Sequence, residues 1–280
     1  MYQITVVGGD RRMIEAALLL KAQGCAVTLC ATFEKPEGFL YTNTLDESAK
    51  GDLLLLPVPY SKDQKTVFGA PEITTKDVEN ACARFSSVCG GGIPASLFEY
   101  TRKAGGDAFD LLCDGGFTLE NAYLTAYAAL GMLLLEGGRA PRDTRILILG
   151  YGRVASALCR LLLGAGFCVS VCARDALKRR EAAFAGAKET FAPSELAEAI
   201  KNADTIVNTV PFPLLKEADL PKERALRILE LASGENFEKS LPASVSLVHA
   251  PGLPGKVYPA SAGALIAEAA LRFLTRKTRI

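Results

Sequence analysis

Ile146-Leu147-Ile148-Leu149-Gly150-Tyr151-Gly152-Arg153-Val154-Ala155 decides the fold. A short apolar run, suited to a buried strand, leads directly into Gly-x-Gly-x-x-Ala, and helical spacing follows from Val154 to Leu163. Each small residue has a task in this pattern. Gly150 permits the tight turn, Gly152 lets backbone approach a pyrophosphate, and Ala155 lets the helix pack closely on the strand. The first helical N–H groups then face phosphate oxygens. Alone, such a motif is weak evidence. Between a buried strand and a helix it points to a dinucleotide site built on Gly150, Tyr151, Gly152, Arg153 and Val154, with a purely structural turn as the alternative.

Toward the C-terminus, the next strand, Cys168–Cys172, ends in Ala173-Arg174-Asp175. An NAD site asks for an acid here, to accept from the ribose 2′-hydroxyl. Arg174 stands in its place, and a guanidinium binds a 2′-phosphate through paired charge-assisted hydrogen bonds. The acid, Asp175, is displaced by one residue, so the reading favours NADP over NAD; a solvated loop charge is the other reading of Arg174. Helices are expected near 176–185 and 194–201, and strands at 204–208, 225–231 and 246–248. The loop Asn208-Thr209-Val210-Pro211 is expected to run along the cofactor, offering donors and acceptors to ribose hydroxyls, although Asn and Pro suit any turn.

Toward the N-terminus, residues 2–7, 26–30, 53–56, 85–89 and 108–113 read as strands, with helices at 10–23 and 95–104. This is another α/β unit, of five strands. Ligands bind at the C-terminal edge of open parallel sheets, which is where Gly8-Gly9-Asp10 with Arg12, Leu56-Pro57-Val58-Pro59 and Gly90-Gly91-Gly92 fall. Asp10 and Arg12 read either as a substrate-facing acid and base or as an N-cap beside a solvated arginine. Gly9, Pro57, Val58, Gly91 and Gly92 are candidate substrate-lining positions. Gly8-Gly9 does not complete a dinucleotide fingerprint, so no second nucleotide is expected there.

A long helix, capped by Thr118 and ended by Gly137-Gly138, is expected to join the units, with Leu119, Ala122, Tyr123, Ala126, Tyr127, Leu130, Leu133 and Leu134 on one stripe. Glu120 in its first turn reads as a proton acceptor near an interdomain cleft or as a complement to the helix dipole. Ala250-Pro251-Gly252-Leu253-Pro254-Gly255 reads as a stiff loop after the only histidine, His249, and the last helix is expected to return to the first unit. The expected division is 1–117 with 260–280, and 118–259. The fold class is α/β, with two Rossmann-like doubly wound parallel-sheet domains joined by a long helix.

Composition narrows the function classes. A chain of 280 residues suits two domains. Lys and Arg number 32 against 31 for Asp and Glu, which gives no electrostatic reason to expect nucleic acid or an anionic membrane. No apolar run of about 18 residues appears, and the N-terminus has neither a basic leader nor a cleavage site, so a cytoplasmic protein is expected. Eight cysteines without a C-x-x-C pair, and a single histidine, argue against a metal site and for reduced core thiols.

The ordered set Val7-Gly8-Gly9-Asp10 with Arg12, Leu56-Pro57-Val58, Thr118-Leu119-Glu120, Gly150–Arg153, Ala173-Arg174, Asn208–Pro211, Leu231-Ala232-Ser233 and Ala250–Gly255 resembles the dipicolinate synthase A-subunit family over nearly the whole chain. The resemblance implies a formate/glycerate-dehydrogenase-like fold with its active site in the cleft. It implies NADP-linked oxidation of a dihydrodipicolinate-type product of the lysine pathway to dipicolinate (pyridine-2,6-dicarboxylate). It also implies a partner, a flavoprotein-like B subunit, in the mother cell of a spore-forming bacterium. The chain departs from the family pattern at Asp114–Phe117, in the short loop Gly234–Phe237, and at Glu230, where Asp is more usual. A dicarboxylate wants cationic or N–H-rich anchors. Arg12 and the Gly91-Gly92 backbone are the expected anchors, and Glu120 or Asp10 the proton acceptor. Two other functions stay open. One is a dehydrogenase of another small carboxylate, which as a 2-hydroxyacid enzyme needs His249 as acid/base. The other is a non-catalytic, regulatory NADP-binding protein. A homo-oligomer is also left open.

Overall fold

The computed structural model describes residues 1–136, 138–234, 236 and 241–277. Gly137 in the expected helix terminator, and Glu235 and Phe237 in the short loop, lie outside them. The chain divides into two compact units, Met1–Asn121 with Pro254–Ile280, and Ala122–Leu253. It passes between them at Asn121–Ala122 and at Leu253–Pro254, each within a few residues of the divisions expected at 117–118 and 259–260.

The first unit alternates strand and helix: β1 (Gln3–Val7), α1 (Arg11–Ala22), β2 (Ala26–Cys30), β3 (Leu40–Thr42), β4 (Gly51–Leu55), β5 (Thr66–Val67), β6 (Ala70–Thr74), α2 (Thr75–Cys82), β7 (Phe85–Gly90), α3 (Ala95–Lys103) and β8 (Asp107–Asp110). α4 (Gly115–Glu136) then carries the chain into the second unit. Six strands form one sheet in the order β3-β2-β1-β4-β7-β8, all pairs parallel. The Leu53–Leu56 run is apolar throughout because consecutive residues face opposite layers. Leu53 and Leu55 pack under Met13, Ile14 and Ile266, while Leu54 and Leu56 pack against Val78 and Leu97.

The sequence reading missed four elements here. β3 is a three-residue edge strand without an apolar run. β5 and β6 form a small antiparallel hairpin. α2 opens on a reciprocal cap, with Asp77 N–H donating to Thr74 Oγ1 at 3.1 Å and Thr74 N–H to Asp77 Oδ2 at 2.8 Å. The Thr-x-x-Asp spacing was readable. Two expectations change. Residues 111–113 are a 3-10 turn and not strand, and α4 starts at Gly115, with Asp114 Oδ1 accepting from Phe117 N–H at 2.9 Å. Thr118 is therefore inside the helix and not its cap. The stripe α4 buries is Ala122, Ala126, Ala129 and Leu133, whereas Leu119, Tyr127 and Leu134 are exposed.

The second unit repeats the plan with β9 (Arg145–Leu149), α5 (Arg153–Gly164), β10 (Cys168–Cys172), α6 (Ala176–Phe184), β11 (Glu189–Phe191), α7 (Leu196–Lys201), β12 (Thr205–Asn208), β13 (Leu226–Glu230) and β14 (Val245–His249). Its sheet order is β11-β10-β9-β12-β13-β14, again all parallel. Strand order reverses between β1 and β4 in one sheet and between β9 and β12 in the other, which fixes the two ligand-accepting crevices. α8 (Leu253–Val257) replaces the second half of the expected stiff loop, with the turn confined to Pro251-Gly252. No described helix is long and apolar enough to cross a membrane.

The return helix, α9 (Pro259–Lys277), lies on α1. Gly263 is the point of closest approach: a Cβ there would stand 2.5 Å from Glu15 Cβ, 2.7 Å from Arg12 O and 2.9 Å from Ala16 N. Two of these three atoms are backbone and cannot swing aside. Glycine to alanine inside a helix normally gains about 1 kcal/mol. Here overpacking against a neighbouring helix reverses the sign, and Gly263→Ala is expected to cost about 1–3 kcal/mol in urea unfolding. An unchanged midpoint would mean that the two helices separate without penalty.

Candidate functional site

The two glycines of the fingerprint serve different ends. Gly150 has φ +90°, and a Cβ there would meet Thr209 Oγ1 at 2.7 Å and Val210 Cγ2 at 2.9 Å. The protein itself requires glycine at that position. Gly152, the N-cap of α5, has φ −81° and no side-chain cap, and a Cβ there would meet nothing within 4 Å. That open space lies before the helix, whose first backward bond runs from Ser156 N–H to Gly152 O at 2.9 Å. The N–H groups of Arg153, Val154 and Ala155 precede it and have no carbonyl in the helix. An open approach to unpaired N–H groups at a helix N-terminus fits a pyrophosphate. Ala155 is fully buried, as close packing of helix on strand requires. Tyr151 departs from expectation. Its ring is buried and its hydroxyl hydrogen-bonds to Cys159, with burial pushing its pKa up to about 12. It offers the turn its backbone only.

At the end of β10, Arg174 is exposed and has no side-chain partner among the described residues. Asp175 is committed elsewhere: its Oδ1 accepts from Leu177 N–H at 2.7 Å and caps α6. Arg179, which the sequence reading did not single out, donates from Nη1 to Ala173 O at 2.7 Å and to Arg174 O at 2.9 Å. One guanidinium thus fixes the backbone from which Arg174 projects. No spacing pattern announces that role, because it depends on α6 folding back on the strand end.

The loop after β12 is corrected in its details. Asn208 is buried, and its side chain is fully used: Nδ2 donates to Val210 O at 3.1 Å and to Glu230 Oε2 at 2.8 Å, and Oδ1 accepts from Val210 N–H at 3.1 Å. Thr209 Oγ1 donates to Leu149 O at 2.7 Å. Neither Asn208 nor the Thr209 proton is free for a ribose. The pair shapes the bend, while Val210 is half-buried and Pro211 exposed. Glu230, noted in the sequence only as a departure from a family pattern, is the buried carboxylate behind this bend. Burial raises its pKa, and hydrogen bonds from Asn208, Ala232 and Asn236 oppose the rise. His249 is exposed at the end of β14, in register with Glu230.

In the first unit, Asp10 caps α1 by accepting from Arg12 N–H at 3.1 Å. Arg12 is not solvated. Its Nε and Nη2 donate to the two Asp10 oxygens at 2.8 Å each, and Nη2 also donates to Val58 O at 2.5 Å. At 8% exposure, the corner of the guanidinium left without a partner among the described residues is Nη1. The Gly91 and Gly92 amides, expected to anchor a carboxylate, are spent: they donate to Pro57 O at 3.1 Å and to Asp110 Oδ1 at 2.9 Å. Gly91 is glycine because a Cβ would strike Val58 at 2.6–2.9 Å. Glu120 is exposed on α4, with no side-chain hydrogen bond or ion pair among the described residues.

The turn after β1 differs from the turn after β9 in one decisive way. Gly9 N–H donates to Phe68 O at 2.7 Å, and Gly69 lies so close to Gly9 O that a side chain there would collide with it. The β5–β6 hairpin therefore fills the place that corresponds to the open space before Gly152 in the second unit. Titration with a nicotinamide dinucleotide is expected to saturate at one molecule per chain. A second site of comparable affinity would mean that the hairpin lifts.

Residues 3–112 match the family model described as the N-terminal domain of the dipicolinate synthase A-subunit, and residues 145–223 match the one described as NADP oxidoreductase coenzyme F420-dependent. The dipicolinate synthase A-subunit of Bacillus subtilis is 25% identical, over 97% of this chain and 95% of its own length. The crystal structure of the dipicolinate synthase A chain from Bacillus subtilis superimposes with a TM-score of 0.77 at 22% identity, covering 98% of this chain and 96% of that one. A transhydrogenase from Sinorhizobium meliloti shares the fold, with a TM-score of 0.62 at 16% identity over 97% and 93% of the two chains. With an N-terminal family domain, a likeness running almost end to end and a dinucleotide turn in its second unit, the chain is a relative of the dipicolinate synthase A-subunit and an NAD(P)-dependent oxidoreductase.

Proposed function

We propose that the chain oxidises a dihydrodipicolinate-type ring dicarboxylate to dipicolinate, with NADP as the hydride acceptor. The observation that carries the reading is a division of labour between two arginines. Arg12 is buried at the sheet edge of the unit that matches the dipicolinate synthase N-terminal domain, and Arg174, exposed and without a side-chain partner among the described residues, follows β10 of the dinucleotide unit, where a 2′-phosphate would lie.

Oxidation removes a hydride from one ring carbon and a proton from a neighbouring site, and aromatisation drives it. A bound nicotinamide supplies the hydride acceptor, so the protein's work is positioning and proton removal. Arg12 presents Nη1 to a substrate carboxylate, while Asp10 and Val58 O hold the rest of the guanidinium still. Gly9, Pro57 and Val58 shape the surrounding edge. Asp10 is poorly placed to take the proton, because both its oxygens already accept from Arg12. Glu120, exposed and unpaired, is the better acceptor. The relative's designation as one subunit of a synthase supports a partner; in this reading that partner is a flavoprotein-like B subunit, in the mother cell of a spore-forming bacterium.

The test is turnover followed as reduced nicotinamide, using the fresh product of the dihydrodipicolinate synthase reaction, with and without a B-type partner. Formation of dipicolinate with NADP preferred supports the reading. Cofactor binding without turnover, even with the partner, supports a regulatory role instead. Arg12→Lys keeps the charge but loses the fork, and is expected to raise substrate KM roughly tenfold or more while leaving NADP affinity unchanged. Arg174→Ala is expected to lower NADP affinity by about tenfold to a hundredfold, with little effect on NAD. Equal losses for both cofactors would remove Arg174 from the 2′-phosphate.

A further inference from the structure

Glu230 ends β13 with no exposed surface, and its two carboxylate oxygens hold different pieces of chain. Oε2 accepts from Asn208 Nδ2 at 2.8 Å, at the end of β12. Oε1 accepts from Ala232 N–H at 2.8 Å, in the loop after β13. The Asn236 side chain adds a further hydrogen bond, and the Glu230 carbonyl accepts from Ala250 N–H at 2.8 Å, just after β14. One residue therefore ties the loops that leave three neighbouring strands at the ligand-accepting edge of this sheet.

The tie to Asn208 reaches the dinucleotide turn. Asn208 closes on both polar groups of the Val210 backbone, and Thr209 is pegged to Leu149 O, the last carbonyl before Gly150. Thr209 and Val210 in turn occupy the space where a Cβ on Gly150 would stand. If the Asn208 carboxamide rotates, the Val210 N–H loses its partner and the Val210 carbonyl keeps only Phe212 N–H, at 2.8 Å, so the bend is held more loosely against the turn. Holding a carboxylate here costs stability, because burial disfavours its charge.

We propose that Glu230 is a positioning residue for the nicotinamide dinucleotide, acting through Asn208 to hold the Thr209-Val210 bend against the Gly150 turn. It touches neither substrate nor cofactor. The inference needs only a dinucleotide at this turn and is independent of whether that dinucleotide is NADP or NAD.

The test is the dissociation constant for NADPH, read from the fluorescence of the nicotinamide itself. The chain contains no tryptophan, so no indole emission overlaps the signal. Glu230→Gln keeps the shape and one acceptor but turns an NH2 group toward a donor. It is expected to weaken NADPH and NADH binding together by roughly tenfold, the scale of one charged hydrogen bond. That pattern differs from Arg174→Ala, which discriminates between the two cofactors, so a failure of the NADP assignment is separable from a failure here. Asn208→Ala, with Glu230 kept, is expected to give a similar loss, and the double variant no further loss, because the two act in one chain of contacts. Wild-type affinity in either single variant would overturn the proposal, as would losses that multiply in the double variant. Should Glu230→Gln fail to fold, the Asn208→Ala result decides alone. Failure of the wild-type chain to bind either cofactor would sink this inference and the dinucleotide assignment together.

Discussion

At the crossover point of each sheet the chain must leave a strand, reverse and begin a helix almost at once, and that demand governs what the molecule can bind. Gly8 and Gly9 meet it after β1 at φ +52° and +82°, and Gly150 meets it after β9 at +90°. These backbone values suit glycine and strain other residues. The outcomes then diverge. After β1 the space above the turn is taken by the chain's own hairpin, through Phe68 O and Gly69. After β9 it is left empty in front of Gly152. One topology thus yields a turn sealed by backbone and a turn open to phosphate, and the difference lies in an insertion between β4 and α2 rather than in the sheet.

Sealing a turn leaves its edge to side chains. In the first unit the polar groups near the crossover satisfy one another: Arg12 with Asp10 and Val58 O, Gly91 with Pro57 O, and Gly92 with Asp110. Buried polar groups must be paired, so most of this edge is committed before any ligand arrives. What remains is directional, one nitrogen of a fixed guanidinium. The second unit solves the same problem with a buried carboxylate. Glu230 gathers donors from two loops and lends them rigidity, while the N–H groups that matter for binding stay open at the start of α5.

The broad architecture was legible because its signals are local. Four consecutive leucines between glycine and proline read as a strand buried on both faces, and Leu53–Leu56 divide between two core layers accordingly. The fingerprint at Gly150 was legible because its glycines sit between a strand and a helix. The illegible elements lack such local signals or contradict them. β3 is too short and too exposed to carry a pattern, and the hairpin announces itself only by closing on Gly9. On α4 the large apolar residues misled, since the stripe that packs is mostly alanine. For the site, residue type at a strand end was a fair guide to place and a poor guide to use. Asn208, Thr209, Gly91 and Gly92 stand where expected, yet spend their donors on the protein, and Tyr151 faces inward. Hydrogen-bond partners across loops are not written in spacing, which is also why Arg179 went unnoticed and Glu230 drew notice only as a departure from a family pattern.

Arg12 and Arg174 carry the same charge, and under the proposed function they would serve opposite tasks. Arg12 has lost most of its conformational freedom to Asp10 and Val58 O, so an anion meeting Nη1 finds a donor already aimed and pays little ordering entropy there. A group held this way selects by position and suits a reaction that depends on placing a ring. Arg174 has a fixed backbone, through Arg179, and a side chain without a partner among the described residues. Under the proposed function it would select by charge and tolerate a range of phosphate positions, which suits recognition of a cofactor at a point far from the chemistry. Exchanging the two designs would fail in both places, because a mobile arginine cannot fix a ring and a buried one cannot reach out to a phosphate in solvent.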